Sequence, residues 1–320
     1  MRNVPHLLLW TDSPGPYIEA IASAGLSDRV AIDTLGRKDK PSEAQRAGTS
    51  VLLTASVPAG LLPAMPNLLW AQSLTAGVEG WIALPDLPAG LTLTCARGTH
   101  RESMPENILG ALFHITKPYA GIVEDQKQSL WRHRVATPLN GKTLGILGLG
   151  AIGQEVVRLA TALGMRVIGT KRRLAPMRDV AEMFPAERTH EVLAQSDFVL
   201  LLLLPATPET DNFIDAERLG QMKPGAWLLN FGRGHLIKDD DLIAAVKAKT
   251  IAGAVLDVFR QEPLPKEHAF WTTDGILVLP HIGGPHPRRD SIVAKLFVEN
   301  LRRFLDGQPL KEVVDRAAGY

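Results

Sequence analysis

The stretch "KTLGILGLGAIGQEVVRLATALGMRVIGT", Lys142 to Thr170, decides the fold of the second half of the chain. It begins with an apolar run, Thr143–Leu147, passes through a glycine turn into a helical pattern, Ala151–Leu163, and ends in another apolar run. Apolar runs of this length, with a helical pattern between them, predict a strand–turn–helix–strand unit. Such a unit is the building block of a parallel sheet.

Three glycines of this unit, Gly148, Gly150 and Gly153, stand at G-x-G-x-x-G spacing. In this context glycine permits a tight turn, lets the backbone approach a pyrophosphate, and lets the helix pack closely on the strand. The N–H groups of Ala151 and Ile152 would face the phosphates at the positive end of the helix. An ordinary strand–helix turn is the alternative, but the flanking strand and helix favour a dinucleotide site.

Further apolar runs lie on both sides of this unit. Later runs such as "AWLLN" and "IAGAVL" are continuously apolar, as is typical of strands buried on both faces of a parallel sheet. The first hundred residues alternate strand and helix patterns and predict a smaller parallel domain, against which an amphipathic C-terminal helix packs. We therefore expect an α/β fold with two doubly wound parallel sheets. A Rossmann nucleotide-binding domain, 102–286, would be inserted into a discontinuous flavodoxin-like substrate domain, 1–101 and 287–320.

A long helical pattern is expected to lead from the first domain into the second. Apolar residues recur at helical spacing from Ser103 to about Trp131. Pro118 lies inside this pattern and would either kink the helix or split it in two.

The composition excludes several classes of protein. The chain has 320 residues and a net charge of +1, which predicts no general attraction to nucleic acid or to membranes. Cys95 is the only cysteine, so no intramolecular disulfide forms, and the nine histidines show no metal-ligand spacing. The N-terminal apolar run is too short for a signal peptide, and no apolar run could span a bilayer. A cytoplasmic location is the default.

The strand after the glycine turn ends in Thr170, Lys171, Arg172 and Arg173. In NAD-selective folds an acidic residue usually stands here and accepts a hydrogen bond from the ribose 2′-hydroxyl. Cations favour a 2′-phosphate instead, and an arginine fork suits its oxygens. A solvated basic loop is the alternative, but the position favours NADP(H). Which of the four residues would contact the phosphate stays open.

Polar residues follow three later strands in distinctive sequence frames. Arg233 lies in "NFGRG", Asp257 and Glu262 lie in "LDVFRQEPLP", and His281 lies in "LPHIGG". Because the carboxyl ends of parallel strands line the ligand crevice of a doubly wound sheet, these side chains are expected to converge.

With these frames, the glycine turn and "LPATPET", the chain resembles the D-isomer-specific 2-hydroxyacid dehydrogenase family over nearly all of its length. The cationic "GTKRR" and the closing "VDRAAGY" are similar to the glyoxylate/hydroxypyruvate reductase A branch. The resemblance implies that Leu204, Pro205 and Thr210 of "LPATPET" also contact the cofactor.

The resemblance also implies catalytic roles. Arg233 would bind the substrate carboxylate and polarise the carbonyl, and His281 would donate the proton. Glu262 would pair with His281, and a carboxylate beside a histidine favours the charged ring. Asp257 would face the nicotinamide carboxamide, with a structural cap as its alternative. Taken singly, each residue could be a surface or loop residue; together, in the family's frames, they indicate an active site.

On the substrate side, "QSLTAGVEG" matches a family loop whose backbone N–H groups help to hold the carboxylate. The residues implied there are Leu74, Thr75, Ala76 and Gly77, and an ordinary turn is the alternative. Arg97 follows another predicted strand, and its side chain would either contact the substrate or lie on the surface. Trp131 lies where family members carry a dimerisation segment, so a homodimer is expected.

These expectations combine into one reaction, the NADPH-dependent reduction of a small 2-keto acid such as glyoxylate or hydroxypyruvate to the D-2-hydroxy acid. His281 would be the proton donor in this reaction, and no metal would be needed. Two alternatives stay open at this point. The first is a reductase of bulkier 2-keto acids such as phenylpyruvate. The second is a dinucleotide-sensing binding protein of the same fold, because the fold alone does not separate binding from turnover.

Overall fold

A computed structural model describes residues 4–172, 174–202, 210–317 and residue 319. The chain divides into two compact units, one formed by Met1–Thr99 with His286–Tyr320 and the other by His100–Pro285. Each unit is built around its own parallel sheet. The boundaries expected from the sequence, 101/102 and 286/287, remain a proposal that this division supports.

The first unit contains a five-stranded sheet in the order β2-β1-β3-β4-β5, with every adjacent pair parallel. Its strands are β1 (His6–Trp10), β2 (Ala31–Leu35), β3 (Val51–Thr54), β4 (Trp70–Ser73) and β5 (Thr92–Thr94). Its helices are α1 (Gly15–Ser23), α2 (Glu43–Gly48), α3 (Glu79–Ile82) and, from the end of the chain, α10 (Arg289–Leu305).

Strand β1 shows why this sheet needs a cover on both faces. Leu7 and Leu9 belong to one apolar cluster, which includes Phe297 of α10. Leu8 belongs to the cluster on the opposite face, which includes Trp81 of α3. Because successive strand side chains point to opposite faces, both faces of a continuously apolar strand must be covered. Helix α10 supplies part of this burial, so the predicted packing of the C-terminal helix on the first unit is confirmed.

The second unit contains a seven-stranded sheet in the order β12-β11-β10-β9-β6-β7-β8, again with parallel neighbours. Its strands are β6 (Thr143–Leu147), β7 (Arg166–Thr170), β8 (Glu182–Phe184), β9 (Phe198–Leu201), β10 (Trp227–Asn230), β11 (Gly253–Leu256) and β12 (Ile276–Val278). Its helices are α4 (Ser103–Thr116), α5 (Tyr119–Lys127), α6 (Ala151–Ala162), α7 (Thr189–Gln195), α8 (Ala216–Gly220) and α9 (Asp239–Lys247). The strand order reverses between β6 and β9, the switch point at which doubly wound sheets bind ligands. The predicted α/β fold with two parallel sheets is confirmed.

The long helix expected from Ser103 is divided in two. Pro118 lies between α4 and α5, because a proline cannot donate the hydrogen bond that would continue the first helix. The expectation that helix continues to about Trp131 was wrong. Helix α5 ends at Lys127, and Ser129 follows with φ of 54°, a left-handed conformation that stops the helix. Trp131 lies beyond this stop, with its side chain fully exposed.

Among the described residues, the helices include none long and apolar enough to cross a membrane. The same residues hold no group of three or more His, Cys, Asp or Glu side chains placed for a metal ion.

Candidate active site

The glycine turn joins the end of β6 to the start of α6. Gly148 has φ of 99°, a conformation that side-chain-bearing residues avoid. Leu149 N–H donates to the carbonyl of Thr170 (3.0 Å), which ties the turn to the end of β7. Within the described ranges no side chain caps α6, and its first turn carries no acidic residue. The first N–H groups of the helix therefore remain available for an anion.

Close packing at this turn depends on a glycine that the sequence reasoning missed. A Cβ at Gly153 would lie 3.5 Å from its nearest neighbours, an ordinary contact distance. A Cβ at Gly169, in β7, would lie only 2.5 Å from the carbonyl oxygen of Ile146 and 2.8 Å from Cδ1 of Leu149. An isolated glycine inside a strand pattern is a signal of such close approach, and it was present in "VIGT".

The basic residues follow β7 directly. Thr170 is buried, with 3% of its surface exposed, whereas Lys171 is half-buried and Arg172 is exposed. Lys171 N–H donates to the carbonyl of Phe184 at the end of β8 (3.1 Å), so its backbone position is fixed. Arg173 lies outside the described residues. The two described cations therefore stand at the carboxyl edge of the sheet, next to the glycine turn.

The proposed cofactor residues of "LPATPET" are mostly beyond what the structure describes. Leu204 and Pro205 lie outside the described residues. Thr210 is half-buried, and its carbonyl accepts from the N–H of Phe213 (3.3 Å).

Arg233 lies in a turn that Asn230 shapes. The buried Asn230 side chain accepts from the N–H of Gly232 (3.1 Å) and donates to the carbonyl of Arg233 (2.9 Å). The Arg233 guanidinium donates to the carbonyl of Gly232 (2.8 Å). Asn230 is the last residue of β10, so this hydrogen bonding links the strand end to the arginine. Asn230 is the asparagine of the "NFGRG" frame, and the sequence alone did not indicate this structural role.

Glu262 and His281 form a direct pair. Nδ1 of His281 lies 2.6 Å from Oε2 of Glu262, and Oε1 of the same carboxylate accepts from the N–H of Phe259 (2.9 Å). Both side chains are accessible, with 54% of His281 and 35% of Glu262 exposed. Because Nδ1 faces a carboxylate, it carries a proton, and Nε2 is left to exchange a proton with a ligand.

Asp257 holds the backbone beside His281. Its Oδ1 accepts from the N–H of Ile282 (2.7 Å) and its Oδ2 from the N–H of Gly283 (2.9 Å). Burial raises the pKa of the Asp257 carboxyl, and the two backbone N–H groups act against that rise. This arrangement matches the structural alternative considered for Asp257, and a contact with the nicotinamide carboxamide remains a proposal.

Side chains of α4 and of the turn before it donate hydrogen bonds to the backbone carbonyls of residues 282–284. Asn107 donates to the carbonyl of Ile282 (3.1 Å), and Ser103 donates to that of Gly283 (3.3 Å). The ring of His100 donates to the carbonyl of Gly284 (3.0 Å). The stretch "RESMPENIL" thus supplies partners for the segment after His281, a function that its sequence did not suggest.

The predicted substrate residues lie in the first unit. In the loop after β4, Thr75 Oγ1 donates to the carbonyl of Gly77 (2.7 Å), and Thr75 N–H donates to Oγ of Ser73 (3.2 Å). The carbonyl of Leu74 accepts from the guanidinium of Arg289 in α10. Leu74 is buried and residues 75–77 are half-buried, so hydroxyl contacts and one arginine give this loop a defined shape.

Arg97 also lies in the first unit. It pairs with Glu312 at 3.5 Å, and both side chains are more than a third exposed. This ion pair fits the surface alternative for Arg97, and a substrate contact remains a proposal.

The chain is similar to known proteins over most of its length. Residues 109–283, more than half of the chain, match the family model described as "D-isomer specific 2-hydroxyacid dehydrogenase, NAD binding domain". A glyoxylate/hydroxypyruvate reductase A from Serratia proteamaculans is 33% identical over 259 residues, covering 78% of this chain and 80% of the relative.

Solved structures match nearly the whole length of the chain. A D-isomer specific 2-hydroxyacid dehydrogenase from Xanthobacter autotrophicus, in complex with NADPH and MES, gives a TM-score of 0.88 at 28% identity, covering 99% and 100% of the two chains. An NADPH-dependent glyoxylate/hydroxypyruvate reductase from Sinorhizobium meliloti, in complex with NADP and sulfate, gives 0.85 at 26% identity, with the same coverage.

Proposed function

Since this chain belongs to the D-isomer-specific 2-hydroxyacid dehydrogenase family and is therefore an oxidoreductase, we propose a specific reaction for it. The reaction is the NADPH-dependent reduction of a small 2-keto acid, of the glyoxylate or hydroxypyruvate type, to the D-2-hydroxy acid. The observation that carries the proposal is the 2.6 Å contact between His281 and Glu262. Such a pair is the acid–base group that carbonyl reduction requires.

His281 is the proton donor in this mechanism. With Nδ1 directed at the Glu262 carboxylate, Nε2 is the ring nitrogen left to deliver a proton to the carbonyl oxygen of the substrate. As negative charge grows on that oxygen, the proton moves from Nε2 to it and leaves a neutral imidazole. Glu262 orients the ring through its contact with Nδ1, and the neutral ring regains its proton from solvent through its exposed face.

Arg233 holds the other end of the substrate. Its guanidinium offers a planar fork that matches a carboxylate, and its positive charge also stabilises charge developing on the neighbouring carbonyl oxygen. Asn230 and the carbonyl of Gly232 fix the turn on which this side chain stands. The keto acid would therefore lie with its carboxylate on Arg233 and its carbonyl on His281.

The residues present fit NADP(H). The uncapped start of α6 and the left-handed Gly148 suit a pyrophosphate, with Gly150, Ala151, Ile152 and Gly153 around it. When bound, a reduced nicotinamide supplies the hydride. The 2′-phosphate would be held at the end of β7, where cations replace the acid of NAD-selective folds. The proposed residues of this site are Thr170, Lys171, Arg172 and Arg173, with Leu204, Pro205, Thr210 and Asp257 along the rest of the cofactor.

The first unit contributes the remaining substrate contacts in this proposal. Within the predicted loop Leu74–Gly77, the N–H of Leu74 donates to the carbonyl of Thr54 (2.9 Å) and that of Thr75 to Oγ of Ser73 (3.2 Å), so the N–H groups of Ala76 and Gly77 are the ones proposed to help to hold the carboxylate. Arg97 is a further candidate. Because several N–H and hydroxyl groups of this loop already bond one another, its shape is set before a ligand arrives.

We also propose that the protein is a homodimer in the cytoplasm. Large apolar side chains are exposed on α5 and on the segment that follows it: Tyr119, Ile122, Val123, Leu130, Trp131 and Val135. Several exposed large apolar side chains on one stretch of chain are typical of a protein–protein contact site. A second copy is the proposed occupant, since this is where the family resemblance implies a dimerisation segment.

The test is NADPH oxidation with a panel of 2-keto acids, namely glyoxylate, hydroxypyruvate, pyruvate and phenylpyruvate, repeated with NADH. We expect the highest kcat/KM with glyoxylate or hydroxypyruvate, and higher values with NADPH than with NADH. A preference for phenylpyruvate would support the reductase of bulkier acids instead. Absence of turnover with the whole panel would contradict the proposed reaction.

A further inference from the structure

Arg260 lies between Asp257 and Glu262 in sequence and has no role in the reaction described above. Its guanidinium contacts two separate segments, 211–212 and 235–237. It donates to the carbonyls of His235 (2.9 Å) and Ile237 (2.8 Å), and to the side chain of Asp211 (3.1 Å). It also donates to the side-chain oxygen of Asn212, and its Nε donates to the carbonyl of Ile237 (3.1 Å).

These partners adjoin the functional residues. The carbonyls of residues 235 and 237 belong to the turn that begins immediately after Arg233, where Gly234–Leu236 forms one turn of 3₁₀ helix. Asp211 and Asn212 follow Thr210, the end of the proposed cofactor loop. Arg260 itself stands two residues before Glu262. A single side chain thus joins the segments that carry the arginine, the carboxylate and part of the cofactor site.

A second observation points to the same junction. A Cβ added at Gly234 would lie 1.9 Å from the carbonyl carbon of Phe259 and 2.3 Å from the amide nitrogen of Arg260. No side chain fits at that distance, so the turn after Arg233 packs with its bare backbone on the Phe259–Arg260 peptide. Phe259 N–H also donates to Glu262 (2.9 Å), so this peptide adjoins the carboxylate as well.

We propose that Arg260 is a positioning residue, which sets the Arg233 turn at a fixed distance from the Glu262–His281 pair. The inference rests on the proposed function, because it assigns Arg260 a part in carbonyl reduction. The guanidinium is suited to this position because it has five N–H donors in a rigid plane and can satisfy several acceptors at once. A lysine ammonium has one donor centre and cannot reach the same set of oxygens in one geometry.

The experiment compares Arg260→Met and Arg260→Lys with a matched control, Arg218→Met. Arg218 pairs with Asp215 (3.6 Å) and lies over the ring of Phe213 (4.4 Å), so the control also removes an ion-paired arginine from this unit. The measurements are kcat and KM for glyoxylate at saturating NADPH, the NADPH dissociation constant from nucleotide fluorescence, and amide hydrogen exchange.

For Arg260→Met we expect kcat/KM to fall by about tenfold to a hundredfold, with KM for glyoxylate rising, since a misplacement of about 1 Å is enough to cause such a loss. Arg260→Lys should restore part of the loss. The NADPH dissociation constant should change much less than kcat/KM does, because the glycine turn contains none of the partners of Arg260 and only Asp211 and Asn212 adjoin a proposed cofactor residue. Amides of Leu236 and Ile237 should exchange faster in Arg260→Met than in the control.

Wild-type values of kcat and KM in either Arg260 variant would overturn the inference, and so would an equal loss in Arg218→Met. If Arg260→Met does not fold, Arg260→Lys alone tests the inference, since it keeps the positive charge and removes the planar set of donors. Hydrogen exchange does not depend on activity. If the wild-type protein reduced no keto acid, the proposed function would fail, while unchanged exchange at Leu236 and Ile237 would separately refute the positioning contact.

Discussion

Nδ1 of His281 lies 2.6 Å from Oε2 of Glu262, although the backbone of His281 adopts the left-handed conformation, with φ of 54°. That conformation costs a residue with a side chain roughly 1–2 kcal/mol. Asp257 binds the next two N–H groups of the chain, and so holds the backbone beside His281. A conformation that is held against its local preference, at a residue with an exposed imidazole, is typical of functional sites.

Replacing His281 with alanine is expected to remove nearly all reductase activity. General acid catalysis by a positioned side chain contributes about 10²- to 10⁴-fold, so kcat/KM for glyoxylate should fall by that amount. Binding of NADPH should persist, because His281 lies outside the glycine turn. Steady-state kinetics and a fluorescence titration with NADPH check the two parts.

His190→Ala is the matched control for this variant, since His190 also lies near an acid, Glu191 at 3.9 Å, with 59% of its side chain exposed. Glu262→Gln keeps an acceptor for the N–H of Phe259 but removes the charge beside the ring. Its kcat/KM should fall by about tenfold or more. Full activity in His281→Ala would refute the assignment of the proton donor.

A weaker preference for NADPH is expected when Arg172 and Arg173 are both replaced by alanine. Removing cations from the end of β7 takes away charge-assisted hydrogen bonds to a 2′-phosphate but leaves the pyrophosphate site intact. The ratio of kcat/KM for NADPH to that for NADH should therefore fall, mainly through KM for NADPH. Arg178→Ala is the control, since Arg178 lies close by in sequence with 92% of its side chain exposed. An unaltered ratio would show that Arg172 and Arg173 do not bind the 2′-phosphate.

Much of the fold could be predicted because its signals are local. Continuous apolar runs mark buried parallel strands, and the glycine turn between a strand and a helix marks the first crossover. The pair Glu262–His281 could be inferred only from the family's sequence frames, but the parallel topology explains why residues at different strand ends meet. Periodicity could not show where the helix that leads to Trp131 ends, because exposed apolar residues continue the pattern beyond Lys127.

The supporting contacts of the site could not be predicted from the sequence. Asn107 and Ser103 bind carbonyls more than 170 residues away in the chain. Arg260 binds backbone oxygens of the turn after Arg233. Backbone acceptors carry no sequence signature, so nothing in the sequence of the partner segment identifies them.

The ion pair around Asp125 predicts a loss of stability in acid. Asp125 is 7% exposed, and a hydrogen bond from Arg134 (2.6 Å) is the main cause that lowers the pKa of its carboxyl. The unfolded chain therefore binds a proton at higher pH than the folded chain does. The stabilising contribution is complete above the ordinary aspartate value, about 3.9, and is lost as pH falls through the lowered folded value.

Urea unfolding of wild type and Asp125→Asn at several pH values should show this loss of stability in acid. The difference in free energy of unfolding between them should be largest near neutral pH and should shrink as pH falls below about 4. Glu124→Gln is the control, because Glu124 forms an exposed pair with Lys127 and such pairs contribute little. A difference that grows toward low pH would contradict the lowered pKa of Asp125.

Replacing Trp131 with serine is expected to weaken self-association. The Trp131 side chain is fully exposed, and Val135 is 82% exposed on the same extended segment. This segment is held in place from one side, by the pairing of Arg134 with Asp125 and by the hydrogen bond from Thr137 N–H to the carbonyl of Thr116 (2.8 Å). A pre-formed segment that presents an aromatic side chain outward loses little entropy when a second copy covers it.

Sedimentation velocity over a range of concentrations measures the effect. A buried tryptophan at the centre of an interface commonly contributes about 2 kcal/mol or more, so the dimer dissociation constant should rise by about thirtyfold or more. Trp271→Ser is the matched control, since Trp271 is also exposed, at 51%, and its indole N–H donates to the carbonyl of Pro265 (2.9 Å). An equal change in both variants, or a monomeric wild type, would show that the surface around Trp131 is not the dimer interface.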